Sequence, residues 1–280
     1  MPDLDSKNPT GKGGKHASVQ TRHKQIVDLV RERGFITIGT LAAKFNVTPQ
    51  TVRRDINTLC DQGLLQRHHG GAGPILSTEN VDYTDRKILC LREKQIIAKL
   101  VAENIPNNSS LFINMGTTTE EVAKILVNHD KLRVITNNLN VAKTLSVNNN
   151  IEVIISGGIV RHKDCGIVGE AAIDFIRQFK VDYGIIGISG VDKDGTLLDF
   201  DYREVTAARS IIENSRKVFL VTDHTKFGRN AMVRLGNIRE VDAMFTNKMP
   251  PAELVEIMKH NDVKLHVAEC TTKVLFEKSK

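Results

Sequence analysis

The 280-residue chain contains no apolar run approaching the roughly 20 residues that a bilayer-spanning helix needs. Its opening stretch, MPDLDSKNPTGKGGK, is polar and lacks the apolar centre of an export signal, so a cytoplasmic protein with no membrane partner is expected. Cysteine is scarce. Cys60, Cys90, Cys165 and Cys270 stand far apart with no C-x-x-C spacing, which argues against a disulfide framework and a zinc site alike. His162 and Cys165 form an H-x-x-C pair, but two ligands without two more do not make a structural metal site. There is no Walker phosphate loop, and GIIGISG at 184–190 is not the G-x-G-x-x-G of a dinucleotide site. Neither a metal nor an organic cofactor is expected.

Charge is present but unevenly placed. Residues 1–75 hold 11 Lys and Arg against 6 Asp and Glu, whereas residues 76–280 hold 28 against 27. Nearly all of the formal charge of +6 therefore sits in a quarter of the chain, as expected of a phosphate-binding module joined to a neutral one. With 40% apolar residues, the chain can bury more than one core. The expected organisation is a disordered polar tail over 1–18, a basic domain over 19–75, a connection over 76–85, an α/β domain over 86–269 and a second tail over 270–280.

The basic domain is organised around residues 47–71, VTPQTVRRDINTLCDQGLLQRHHGG. Thr48 suits the cap of a helix, Pro49 its first position and Gly63 its end. Val52, Ile56 and Leu59 share one buried stripe and leave Gln50, Thr51, Arg53, Arg54 and Asn57 to the other faces. Upstream, 21–33 carries Ile26, Leu29 and Val30 on one face, and a short helix over 38–45, capped by Thr37, turns Leu41, Ala42 and Phe45 inward. Asn46-Val47 form the turn from that short helix into the one opened by Pro49, and Leu64 to Arg67 with Gly70 and Gly71 form a hairpin. Three helices and a hairpin describe a winged helix-turn-helix, which lays its last helix in the major groove of DNA. Arg67, His68 and His69 then fall in the wing, where phosphate or groove contact is expected. The alternative is a small bundle with a solvated arginine face; the charge split favours DNA.

Helical spacing of Ile88, Leu91, Ile96, Ile97, Leu100 and Val101 predicts one long helix over 86–104. Thereafter short apolar runs (SLFIN, RVIT, EVIIS, YGIIGIS, KVFLVT, AMFT and KLHV) alternate with helical stretches at 120–127, 140–145, 205–215 and 251–260. That alternation predicts an α/β domain with a mostly parallel sheet. After SLFIN, Gly116-Thr117-Thr118-Thr119 opens a helix whose free amides and hydroxyls can hold a phosphate. Asn137-Asn138, Gly157-Gly158, Gly190-Val191-Asp192 and Asp223 with Lys226 follow four further strands. In an open parallel sheet these carboxyl ends face one crevice, so the loops predict a site for a small anion such as a sugar phosphate. Each feature also has a plainer reading, as a helix cap, a turn or a glycine required by the backbone.

LAAKFNVTPQTVRRDINTL followed by RHHGGA closely resembles the DNA-binding end of the DeoR family of bacterial sugar-metabolism regulators. Thr48 replaces the usual Ser and Ile56 the usual Leu, both conservatively, while Gly39 is a weaker helix former than the family carries there. INMGTTT, VITNNLNVA, ISGGIV, GISGVD and DHTKFGR resemble the successive motifs of that family's sensor domain, which is similar in fold to ribose-5-phosphate isomerases. The resemblance runs from about residue 20 to 267. It implies a homotetrameric repressor that leaves double-stranded operator DNA when a phosphorylated effector binds. TDRK, FDYREV and HTKFGRNAMV resemble the members governing glycerol metabolism, which implies glycerol 3-phosphate as the effector. It also implies phosphate contact at Gly116, Thr117, Thr118, Thr119 and Lys226, and polyol contact at Asn137, Gly158, Asp192 and Glu204.

A reading from another class is a sugar-phosphate isomerase with a DNA-binding appendage, for which Glu204 is the candidate base. Glycerol 3-phosphate has no carbonyl to isomerise, so a site tuned to it binds without turnover. A third reading, a structural DNA-binding protein with a vestigial second domain, fits poorly with so many polar residues at strand ends.

Overall fold

A computed structural model describes residues 19–33, 36–62, 64–68, 70–73, 80, 83–268 and 273–274. The tail expected over 1–18, the helix stop expected at Gly63 and the wing residue His69 lie outside them. The chain divides into two compact units, Met1–Leu76 and Ser77–Lys280.

The first unit runs α1 (Val19–Arg33), β1 (Ile36–Thr37), α2 (Ile38–Phe45), α3 (Pro49–Asp61), β2 (Gln66–His68) and β3 (Gly71–Gly73). Local chemistry sets the helix boundaries. Thr37 and Thr48 cap α2 and α3 by accepting from the amides of Thr40 and Thr51, Pro49 opens α3, and Asn46 makes the intervening turn in the left-handed region at φ 50°. The predicted stripes meet: Ile26, Val30, Leu41, Val52, Ile56 and Leu59 form one core with Ile36, Leu65 and Ala72. The three strands pair antiparallel in the order β1-β3-β2, which makes the wing. One buried group on α3 is charged. Asp55 accepts from Arg22 Nε at 2.7 Å and Nη2 at 3.0 Å and pairs with His23 Nε2 at 2.9 Å, tying α1 to α3.

The second unit opens with α4 (Tyr83–Ile88) and α5 (Leu91–Glu103), so the single helix predicted over 86–104 is two, and α4 begins inside the stretch expected to be a connection. The chain breaks at Cys90, which is left-handed at φ 53°. The break is stabilised from α5: buried Lys94 donates its ammonium to the carbonyls of Arg86 and Leu89 at the end of α4. There follow β4 (Ser110–Ile113), α6 (Thr117–Leu126), β5 (Leu132–Thr136), α7 (Leu139–Leu145), β6 (Ile151–Ile155), β7 (Ile159–Val160), β8 (Ile167–Val168), α8 (Glu170–Ile176) and β9 (Val181–Gly187). The rest is β10 (Gly190–Val191), β11 (Thr196–Asp199), α9 (Tyr202–Glu213), β12 (Ser215–Val221), β13 (Val233–Asn237), β14 (Ala243–Thr246), α10 (Ala252–His260), β15 (Lys264–Val267) and β16 (Lys273–Val274).

The main sheet runs β16-β15-β14-β12-β9-β4-β5-β6, parallel throughout except for the β16 edge. All seven predicted strands are in it. Alternate residues feed separate cores: Phe112, Ile186, Leu220 and Met244 pack with α9 and α10, and Leu111, Ile113, Ile185, Phe219 and Phe245 pack with α5, α6 and α7. Burial on both faces explains why these strands read as unbroken apolar runs. Chain order reverses between β9 and β4, where the crevice of an open parallel sheet opens. The small sheet β10-β11-β13 and the hairpin β7-β8 stand beside the main one and have no counterpart in the sequence reading.

Candidate nucleic-acid interface and anion pocket

On α3, the residues opposite the core stripe face water: Gln50, Arg53, Arg54 and Asn57 are exposed, and Thr51 is half-buried with its hydroxyl 2.9 Å from that of Thr48. Arg53 Nη1 lies 3.4 Å from Gln50 Oε1. From the wing, Arg67 Nη1 donates to Asn57 Oδ1 at 3.1 Å, so strand β2 and helix α3 present one continuous polar surface. His68 pairs with Gly71 across the hairpin. A helix dipping side-chain donors into a major groove needs this separation of an apolar stripe from a cationic one.

In the second unit a pocket lies at the reversal point of the sheet. It is lined by the ends of β4 and β9, the first turn of α6, one face of α9, the turn after β12, and α4. Gly116 precedes α6 at φ 149°, a conformation that favours glycine, and the first intrahelical bond runs from the Glu120 amide to the Gly116 carbonyl at 3.0 Å. The amides of Thr117, Thr118 and Thr119 therefore have no partner within the helix, and they sit at its positive end. Thr117 and Thr118 line the pocket. Thr119 does not: its hydroxyl is fully buried and donates at 2.7 Å to the carbonyls of Asn114 and Gly116, shaping the turn.

Lys226 enters from the 3-10 turn His224–Lys226, which Asp223 caps through the Thr225 amide at 2.9 Å. Burial pushes the Lys226 ammonium down to about 8, against the pull of Asp223. Burial raises Asp223 in turn, but Lys226 and the Thr225 hydrogen bonds outweigh it and hold the carboxyl below its ordinary value. The wall thus carries free amides, two threonines and a lysine that gains stability when an anion arrives, a set suited to a phosphate.

Carboxylates line the other side. Glu204 pairs with Arg161 Nη1 at 2.5 Å, and burial together with the charge of Asp199 pushes it up to about 7 in spite of Arg161. Asp199 is raised by burial, although its Oδ1 accepts from Ser189 Oγ at 2.9 Å and the Phe200 amide at 2.7 Å. Arg161 also donates to both oxygens of Asp164 and to Asp201, so one guanidinium organises three carboxylates. Glu120 is buried and accepts from Tyr83, Asn138 and Asn140. Such groups can accept from hydroxyls, as polyol recognition requires.

Of the nine predicted effector residues, Gly116, Thr117, Thr118, Glu204 and Lys226 line one pocket. Thr119, Asn137, Gly158 and Asp192 lie outside the lining. Asn137 is buried and donates to the Ile167 carbonyl at 3.2 Å, whereas its neighbour Asn138 faces the pocket. Gly158 has φ 138°, and a Cβ there would stand 2.8 Å from the Val168 carbonyl. Asp192 is exposed in the turn between β10 and β11, where its backbone pairs with Thr196 and Gly195. The sequence reading passed over Tyr83, Arg86, Asp164, Ser189 and Asp199. Of this set, Arg86 stood in the quoted motif TDRK and Ser189 in GISGVD, but neither was given a role. Among the described residues no group of three or more His, Cys, Asp and Glu is placed to hold a metal, and no helix is long and apolar enough to cross a membrane.

Comparison with known proteins finds the family described as "DeoR-like helix-turn-helix domain" over residues 22–78 and that described as "DeoR C terminal sensor domain" over residues 90–248. The glycerol-3-phosphate regulon repressor of Escherichia coli K12 is 51% identical over 246 residues, which cover 88% of this chain and 98% of that one. The glycerol-3-phosphate regulon repressor of Haemophilus influenzae is 48% identical over 244 residues, covering 87% and 95%. Among solved structures, ribose 5-phosphate isomerase A of Methanocaldococcus jannaschii matches 67% of this chain and all of its own at 14% identity, with a TM-score of 0.40.

Proposed function

This chain belongs to the DeoR family, and from that premise we propose that it is a DNA-binding transcriptional repressor of a glycerol 3-phosphate regulon, released from its operator when glycerol 3-phosphate fills the sensor pocket. The observation that carries the repressor reading is 51% identity to a protein of that name across 98% of its length. The effector reading is supported by the free amides of α6 facing the same pocket as Lys226, a phosphate cradle, with carboxylates opposite to accept from hydroxyls. The exposed face of α3, with Gln50, Thr51, Arg53, Arg54 and Asn57, reads base edges and phosphates, and Arg67 follows the backbone from the wing, the role that the sequence also suggests for His68 and His69. Paired half-sites favour a homo-oligomer, and the family resemblance favours a tetramer.

Operator binding and release test this directly. The full-length chain is expected to shift a duplex selected from a random pool, and sn-glycerol 3-phosphate, but not glycerol, is expected to reverse the shift. Retention of the duplex at saturating effector would reject the release mechanism. Conversion of ribose 5-phosphate to ribulose 5-phosphate by the purified chain would favour the isomerase reading, which Glu204 does not support as it stands, since Arg161 occupies its carboxylate.

A further inference from the structure

Arg86 is half-buried on α4, and it faces the same pocket as Lys226 although neither a strand end nor a glycine-rich loop carries it. Its Nε has no hydrogen-bond partner, and its nearest counter-charge is Asp164, whose Oδ2 stands 3.7 Å from Nη2. That distance is long for a charge-assisted hydrogen bond. Asp164 is already satisfied, because Arg161 holds it at 2.9 Å and 2.6 Å through both oxygens. Arg86 is therefore a half-buried guanidinium whose Nε lacks an acceptor, beside a cradle that presents donors to an anion. Its charge acts on Lys226 and Asp199, which places it within electrostatic range of both walls.

Its position in the chain matters as much as its charge. The stretch leading into the second unit is fastened to this pocket at successive points. Asn80 donates to Ser189 Oγ at 3.2 Å and accepts from Arg229 Nη2 at 3.0 Å, and Tyr83 Oη donates to Glu120 at 2.8 Å. Ser189 in turn donates to Asp199 at 2.9 Å. Helix α4 thus supplies Tyr83 and Arg86 to the pocket and lies near the start of the second unit.

We propose that Arg86 is a ligand contact, the second cation on the anionic group of the effector, and that by exchanging Asp164 for that anion it makes helix α4 report whether the pocket is full. This rests on the reading of the pocket as an effector site. A ligand shifts an equilibrium only by contacts that differ between the two states. The anion supplies such a contact: the guanidinium gains an acceptor for its unpartnered Nε, and α4 is drawn onto the first turn of α6. Lys226, on the turn after β12, anchors the same anion from a distant part of the chain.

Titration calorimetry with sn-glycerol 3-phosphate on the full-length chain, joined to hydrogen exchange over residues 83–88, tests the assignment. Arg86→Gln is expected to bind about ten- to a hundred-fold more weakly. Asp164→Asn is expected to bind more tightly, because a competing carboxylate is gone while Arg161 keeps Asp201 and Glu204. Ligand is expected to slow exchange over 83–88 in the unaltered chain and in Lys226→Ala at saturation, but not in Arg86→Gln at saturation. Unaltered affinity in a folded Arg86→Gln protein overturns the proposal. So does weakened binding in both Arg86→Gln and Asp164→Asn, which would make Arg86 a structural partner of Asp164. If the unaltered chain binds no sn-glycerol 3-phosphate, the effector reading falls and this inference with it, a result distinct from binding that ignores Arg86.

Discussion

Arg67 in the wing donates to Asn57 on α3 across 3.1 Å, ten residues away in sequence, so the two elements expected to meet DNA are coupled before DNA arrives. The bond is exposed and contributes little to stability. Its consequence is orientation: the guanidinium is held beside the exposed side of α3 rather than swinging free.

Arg54→Ala is expected to weaken operator binding and leave effector binding unchanged. A bidentate contact to a base edge would cost about 1 to 3 kcal/mol at one position of the operator. A phosphate contact would weaken all sequences alike and lower the salt slope by about one. Gel shifts across a range of salt separate the two, and wild-type affinity throughout would remove Arg54 from the interface.

Asp55 gives a stability prediction. Burial alone would raise its pKa, but hydrogen bonds from Arg22 and His23 more than offset that and hold it below the ordinary value. Because the folded value is the lower one, the stability it contributes is present above the unfolded value near 4 and is lost as pH falls through the folded value. Asp55→Ala leaves Arg22 part-buried and uncompensated and is expected to destabilise the first unit by about 3 kcal/mol. Hydrogen exchange of α1 and α3 in the full chain would detect this; protection equal to that of the unaltered protein would refute it.

What could be read ahead of the structure followed from how local the signals are. Thr48, Pro49 and the Val52, Ile56, Leu59 stripe define α3 within a dozen residues, and strands buried on both faces announce themselves as apolar runs. The pocket's acidic wall is different. Arg161 reaches Asp201 across 40 residues and Asn80 reaches Ser189 across 109, and no spacing rule encodes such meetings. The break between α4 and α5 was hidden because apolar periodicity continues through it, while the left-handed residue is Cys90 rather than a glycine or asparagine. Strand β13, VRLGN, has too few apolar residues to announce itself. At 137 and 138 the asparagine pair was found, but adjacent residues point to opposite sides, and the one facing the pocket is Asn138.

Gly158→Ala separates ligand contact from packing. With φ at 138° and the Val168 carbonyl 2.8 Å from the added Cβ, the substitution strains the backbone and is expected to cost about 1 to 3 kcal/mol of stability. Effector affinity of the folded fraction is expected to stay unchanged, since Gly158 is outside the pocket lining. Calorimetry showing lost affinity without a lowered melting temperature would return Gly158 to the binding site.

Lys226 carries the last prediction, because its charge state is set to respond to pH near the physiological range. Burial lowers its pKa to about 8, and a bound phosphate favours the ammonium and raises the value again. Of the two forms of Lys226 only the ammonium attracts the anion, so affinity should be full below pH 8 and fall as pH rises from 8 toward the higher bound-state value, by up to about tenfold per pH unit. Phosphate monoesters are already dianionic above about pH 6, so the ligand's own titration does not produce that slope. Lys226→Ala removes both the charge and the slope while leaving α3, the wing and the sheet untouched. In a cell it should therefore hold the operator at effector concentrations that release the unaltered protein, a super-repressor. If Lys226→Ala binds effector as the unaltered chain does, with the same dependence on pH between 7 and 10, Lys226 is not the anion's counter-charge, and the half-buried ammonium serves only to balance Asp223.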